Sequence, residues 1–183
     1  MKKSICTLCA AAWIILTAGT PAQAATAAKE YLTPKEIEQI QDAQEIEKRI
    51  KIYLEAAALR LKAAEDRLYG KESAPGDPLE FFSAEEMIDG YYQIVRSVML
   101  NLDGAFQKPS GDKEKFGVAL KNLKDSMEKA EKSLAILKKM AEEKRREELW
   151  NLINKAIDVT GGAHEGAEMG LSKQPAPPKK KGK

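Results

Sequence analysis

The stretch that decides the fold is FGVALKNLKDSMEKAEKSLAILKKMAEEKRREELWNLINKAI, residues 116–157. Its apolar residues recur at alternating steps of three and four, which places them on one face of an α-helix. The interval 142–148 is almost wholly charged but holds neither proline nor glycine, and Leu152 falls within about 20° of Ala141 on a helical wheel. The pattern therefore predicts one long helix that begins near Asp112 and ends at Gly161-Gly162.

Two further helices are predicted before this stretch. Residues 33–36 form a capping box that opens the first one, and an apolar stripe at spacings of three and four then continues to Leu68. Residues 83–86 form a second capping box, and a second stripe continues from there to Phe106. The proline-containing segment 71–82 separates these two helices, because it cannot remain helical.

These elements predict an all-α fold, an elongated antiparallel three-helix bundle over residues 33–162. The last helix is longer than its neighbours, so the part from about residue 136 to 157 projects past them and leaves an apolar stripe in water. Either the chain bends near 142–146 and returns as a fourth helix, or this part pairs with another subunit or protein partner. We favour pairing, because no proline or glycine marks a break. The predicted interaction residues are Leu137, Met140, Leu149, Trp150, Ile153 and Ile157.

The first 24 residues have the pattern of a cleaved secretory signal peptide. Two lysines precede an apolar run over residues 5–18, and Ala22-Gln23-Ala24 supplies the small residues before a cleavage point. We favour a signal over an N-terminal membrane anchor, because the run is shorter than the ~20 residues of a spanning helix. Cleavage predicts a periplasmic or secreted protein. It also removes Cys6 and Cys9, which excludes disulfides, thiolate metal sites and a cysteine nucleophile.

The charges are distributed unevenly along the chain, whose formal net charge is +2. A flexible leader is predicted over residues 25–32. Residues 25–172, which include this leader, hold 23 basic and 28 acidic side chains. A disordered tail rich in proline and lysine is predicted over 163–183. It carries five lysines, namely Lys173, Lys179, Lys180, Lys181 and Lys183. In an exported protein such a segment favours loose attachment to an anionic envelope surface, and a solubilising terminus without a partner is the alternative.

The residues needed for catalysis or cofactor binding do not occur in useful patterns. His164 is the only histidine, and Glu168 stands where a helical zinc-protease motif needs its second histidine. One histidine cannot complete a di-iron site, and the acidic residues interleave with lysine or arginine at helical spacing. Glycine-rich phosphate loops and nucleophile elbows are missing from the sequence. We therefore predict a protein that is not an enzyme, with no metal, no cofactor and no nucleic-acid partner.

One short motif resembles a known family. Leu32-Thr33-Pro34, at the start of a charged amphipathic helix, resembles the opening of the periplasmic helical chaperones with a Leu-Thr-x-x-Gln motif. Here Lys35 and Glu36 occupy the fourth and fifth positions, so the glutamine is absent, and a plain capping box explains the same residues. A chaperone-like protein is thus one alternative.

The sequence as a whole favours an exported, non-catalytic helical protein that acts through protein–protein interaction. A small-ligand carrier is the other alternative to this function. Its cleft would be lined by the aromatic residues Phe81, Phe82, Tyr91, Tyr92 and Trp150.

Overall fold

The computed structural model describes residues 31–107 and 112–173, and within these ranges the chain forms α-helices without strands. The five helices are α1 (Pro34–Asp42), α2 (Ile46–Leu68), α3 (Ala84–Phe106), α4 (Lys113–Glu143) and α5 (Glu147–Ser172). The prediction of an all-α helical bundle is confirmed. The predicted signal peptide, most of the predicted leader and the tail from residue 174 onward lie outside the described residues.

Helices α2, α3, α4 and α5 form the bundle. Helix α2 packs against α3 and α4, α5 packs against α4 and α3, and the described parts of α3 and α4 contact each other only slightly. One end of the bundle holds the starts of α2 and α4 and the ends of α3 and α5, and there Lys115 bonds to Glu45. We call it the tail end. Arg146 bonds to Glu85 at the opposite end, which we call the hinge end.

The core consists of the apolar faces that these four helices turn toward one another. Each wholly buried leucine or isoleucine contributes about 1.5–3 kcal/mol relative to an exposed one. These side chains come from all four bundle helices, and they include Ile50, Ile88, Ile94, Leu134, Leu149 and Ile153.

The prediction of one continuous first helix is wrong, because residues 43–45 interrupt it. Ala43 is extended, with φ −74° and ψ 97°, and the Arg49 side chain donates two hydrogen bonds to its carbonyl oxygen. Helix α1 thus folds back onto α2 and brings Glu36 to Arg60. In a continuous helix these residues would lie about 36 Å apart along the axis. The interruption at residues 43–45 therefore allows the ion pair between Glu36 and Arg60 to form.

The prediction of one continuous last helix is also wrong, and the bend is the alternative that the structure contains. Helix α4 ends at Glu143, Arg145 has a left-handed φ of 54°, and the Arg146 amide donates to the Ala141 carbonyl oxygen at 2.9 Å. This is a helix-ending turn that usually carries glycine. Burial of Leu149 and Ile153 contributes about 3–6 kcal/mol, which outweighs the ~1–2 kcal/mol cost of a left-handed arginine.

The predicted end of the last helix at Gly161-Gly162 is wrong as well. Helix α5 continues to Ser172, so the segment 163–172 belongs to the bundle and not to a disordered tail. The small residues of this segment allow close packing on α4, since Ala163 and Ala167 are buried. These contacts offset the roughly 1 kcal/mol by which each glycine lowers helix propensity.

Candidate functional site

An apolar groove of about 250 Å³ lies at the tail end, between α3, α4 and α5. We call it the tail-end groove. Its floor is made of small residues of α5, Ala163, Gly166 and Ala167, while larger apolar side chains of the three helices form its walls. A Cβ at Gly166 would meet no described atom within 4 Å, which leaves the space above the floor open. The walls include Met99, Leu102, Phe106, Phe116, Leu123 and Met169.

Two large apolar side chains of this groove are turned toward solvent. Phe106, at the end of α3, is 66% exposed, and Met169 of α5 is 56% exposed. The ring of Phe106 lies 6.1 Å from the ring of Phe116 at a tilt of 37°. A patch of this kind, composed of apolar residues from several elements, is typical of a binding surface.

The mouth of the groove carries one lysine and one aspartate. Lys173 follows the last helical residue, where a cation interacts favourably with the free carbonyl groups of α5. Asp103 lines the mouth from α3. Lys173 is the first of the five predicted surface-binding lysines, and Lys179, Lys180, Lys181 and Lys183 lie outside the described residues.

The predicted interaction residues of the last helix lie mostly between α4 and α5 of the same chain. Leu137, Met140, Leu149 and Ile153 are buried there, and Ile157 is partly buried. Trp150 is the most exposed of the six, at 36%, and the Lys138 ammonium group lies 5.0 Å from the centre of its ring. A partner molecule can therefore reach Trp150 directly, but reaches the four buried residues only if α5 leaves α4.

The aromatic residues predicted to line a carrier cleft differ widely in their access to solvent. Tyr91 is buried, and its hydroxyl lies 2.7 Å from the Thr160 hydroxyl. Burial raises the pKa of Tyr91, and the bond to Thr160 counters only part of this effect. The Arg96 guanidinium group lies over Tyr92, 5.6 Å from the centre of the tyrosine ring. Phe81 is 81% exposed in the loop at the hinge end.

A buried arginine–carboxylate pair joins α1 to the bundle, and the sequence analysis missed it. Arg60 is only 2% exposed, and it donates to both carboxylate oxygens of Glu36 at 3.0 and 2.7 Å. It also donates to the carbonyl oxygen of Tyr31 at 3.0 Å. Burial acts to raise the pKa of Glu36, but hydrogen bonds from Arg60 and the Thr33 amide bring it below its usual value of 4.5. The available signal was a charged residue inside the apolar stripe of α2.

His164 lies among acidic side chains on the surface shared by α4 and α5. Its Nδ1 is 3.5 Å from Glu131, and its Nε2 is 3.8 Å from Glu128 and 4.0 Å from Glu168. Lys124 already pairs with Glu168 at 2.7 Å. Within the two described ranges, no group of three or more histidine, cysteine or acidic residues is placed to hold a metal ion. Among these contacts, the ion pair between Lys124 and Glu168 joins α4 to α5.

Comparison with known proteins gives no relative, since no family model, curated protein or solved structure matches the chain. None of the helices in the described part of the chain combines the length and apolar character needed to cross a bilayer. The function is therefore inferred from the geometry and charge of the chain itself.

Proposed function

We propose that the chain is an exported, non-catalytic helical protein of the periplasm or cell envelope. It acts by binding other macromolecules, and its basic tail attaches it loosely to an anionic surface. The observation that carries this proposal is the separation of charge, with 28 acidic against 23 basic side chains over residues 25–172 and five lysines without an acid over 173–183. Helix α5 brings the first of these lysines to the tail end of the bundle.

The strength of such an attachment follows from the number of lysines. Each lysine near an anionic surface contributes about 1 kcal/mol, so five together give about 5 kcal/mol at low ionic strength. At physiological salt the interaction extends only about 8 Å. The acidic body is repelled by the same surface, so the tail end faces the surface and the rest of the bundle faces away.

The ion pairing of acidic residues supports a non-catalytic role. Hydrogen bonds from Lys115 and Lys48 lower the pKa of Glu45 to about 2. A hydrogen bond from Lys124 likewise holds the pKa of Glu168 below its usual value. General acid catalysis needs the opposite shift, a carboxyl group whose pKa is raised toward the working pH.

Self-association, or a protein partner bound through the last helix, is also part of this proposal. Trp150 supports it, because a partly exposed tryptophan is a frequent centre of binding energy in protein interfaces. The Lys138 ammonium group of α4 lies over the same ring. Light scattering on residues 25–183 and on the Trp150→Ala variant tests this part. A monomer for both chains would contradict self-association.

The attachment is tested by removing the tail charges in two ways. We compare residues 25–183 with a chain that ends at Ser172 and with a full-length chain whose five tail lysines are glutamines. Both variants should keep the helical circular dichroism spectrum and lose salt-sensitive binding to envelope preparations. Equal binding by all three chains would contradict the proposal, and the glutamine variant separates loss of charge from loss of length.

A small-ligand carrier is the second candidate, and the tail-end groove is the observation that favours it. Its apolar walls and small-residue floor suit a molecule with a short hydrocarbon part. Native mass spectrometry of protein purified from its own host tests this candidate. A retained small molecule supports a carrier, and a bare chain contradicts it.

A further inference from the structure

The tail end carries large apolar residues that the core does not bury. Phe106 and Met169 leave most of their side chains in water, although they belong to two different helices. Both border the same groove, and they therefore form one surface that can be covered by one partner. Covering this surface removes apolar area from water, which is a favourable contribution to binding.

The lining of the groove selects for hydrocarbon. Its floor of Ala163, Gly166 and Ala167 and its walls present carbon atoms, and the charged groups among the described lining residues are Asp103 and Lys173 at the mouth. A polar ligand placed on this floor would leave its own polar groups without partners, at a cost in free energy. A hydrocarbon chain has no polar groups and therefore does not incur this cost.

The charge beside the groove indicates a second chemical feature of the ligand, an anionic group. Lys173 stands at the mouth, and four more lysines follow within the next ten residues of the sequence. A molecule that offers a hydrocarbon chain and an anionic group side by side matches this arrangement. Binding at a membrane surface is strengthened both by buried apolar area and by attraction of basic groups to anionic lipids. An anionic glycan would use the lysines only and leave Phe106 and Met169 in water.

We propose that the tail end of the bundle docks on a bilayer of anionic phospholipid. Phe106 and Met169 enter the acyl-chain region, the tail-end groove encloses the end of an acyl chain, and Lys173 and the following lysines bind headgroups. This inference rests on the proposed function, since it names the anionic surface to which the tail attaches. The hinge end then points away from the membrane.

The first test is sedimentation of residues 25–183 with vesicles of phosphatidylglycerol and phosphatidylcholine. The Phe106→Ser/Met169→Ser variant should bind at least about tenfold more weakly than the wild type. The Leu59→Ser/Ile136→Ser variant is a matched control, because it also removes two half-exposed apolar side chains, 48% and 49% exposed, outside the tail-end groove. Its binding should change less than twofold. Circular dichroism checks that both variants stay folded.

A second test locates the contact. After the predicted signal cleavage, Trp150 is the only tryptophan, and it lies at the hinge end. Lipids with brominated acyl chains should leave its fluorescence unchanged when the protein binds vesicles. In the Phe106→Trp/Trp150→Phe variant the same lipids should quench the new tryptophan. Quenching of Trp150 in place of the introduced tryptophan would overturn the docking geometry.

The outcomes separate this inference from the proposed function. If the Phe106→Ser/Met169→Ser variant binds vesicles as tightly as the wild type while loss of the tail lysines abolishes binding, lipid docking fails and electrostatic attachment stands. If the chain without tail lysines binds as well as the wild type to vesicles and to a sulfated polysaccharide matrix, the proposed function itself fails. Binding of a soluble fatty acid without any vesicle binding contradicts docking and favours the carrier.

Discussion

The carboxylate of Glu36 accepts two hydrogen bonds from the guanidinium group of Arg60, 24 residues later in the chain. The pair is largely withdrawn from water, since the side chains are 13% and 2% exposed. It fixes a short helix that has no wholly buried residue of its own. The ion pair therefore adds to the apolar contact that Ile40 of α1 makes with the core.

The two members of this pair should respond differently to substitution. Glu36→Ala leaves the Arg60 charge buried without its partner, and we expect a loss of about 3 kcal/mol in the free energy of unfolding. Arg60→Met leaves Glu36 13% exposed to water and still bonded to the Thr33 amide, so its cost should be smaller, about 1–2 kcal/mol. Urea denaturation measures both values. A larger loss for Arg60→Met than for Glu36→Ala would contradict this account.

The same pair predicts a dependence of stability on pH. The folded state holds the pKa of Glu36 below its usual value of 4.5, so the folded protein binds this proton less readily than the unfolded chain. The contribution of Glu36 is therefore present above pH 4.5 and is lost as the pH falls through the lower, folded pKa. Thermal unfolding between pH 3 and pH 7 should show a flatter profile for Glu36→Gln. Parallel profiles for the two proteins would speak against the prediction.

Two glycines of α5 should respond in opposite directions to alanine. At Gly166 a Cβ meets open space, so Gly166→Ala should raise the stability by about 0.5–1 kcal/mol through helix propensity. At Gly170 a Cβ would lie 2.8 Å from Leu120 Cδ1, so the buried Leu120 side chain must move. We expect Gly170→Ala to be less stable than Gly166→Ala by about 1 kcal/mol or more. Equal stability in urea denaturation would show that the packing between α4 and α5 is looser than described.

The turn between α4 and α5 offers a test of backbone strain. Arg145 adopts a φ of 54°, a conformation that glycine adopts freely and that costs arginine about 1–2 kcal/mol. Arg145→Gly should therefore stabilise the folded chain by about 0.5–1 kcal/mol. Lys144→Gly is the matched control, because Lys144 has an ordinary φ of −86° and gains nothing from glycine. A loss of stability in both variants would contradict the described turn.

The helical faces could be predicted from the sequence, because their spacing depends only on the geometry of one helix. The bend could not be predicted from proline or glycine, which are absent there. The angular position of the apolar stripe around the helix was the better signal of the bend. Leu152 matches Ala141 on a helical wheel, but the buried residues are Leu149 and Ile153, which lie about 80° and 120° away from it. Such a shift of the buried face marks the point where one helix becomes two.

The candidate site was harder to predict, because it depends on how helix ends meet. Phe106 continues the apolar stripe of α3, yet it is the last residue of that helix, at the tail end, and its side chain is 66% exposed. The tail-end groove is formed by α3, α4 and α5 together. The residues of its floor follow Gly161-Gly162, where the helix was predicted to end, so they were not predicted to be part of the bundle. Lys173, which lines the groove, was singled out from the sequence alone as part of the basic tail.

The most direct measurement of the central claim is a salt titration of binding to anionic phospholipid vesicles. We compare residues 25–183 with the variant in which Lys173, Lys179, Lys180, Lys181 and Lys183 are glutamines. The account predicts that the unsubstituted chain binds at low salt, loses affinity steadily as salt rises, and binds far more weakly once the lysines are replaced. Binding that is insensitive to salt and equal for the two chains would contradict it.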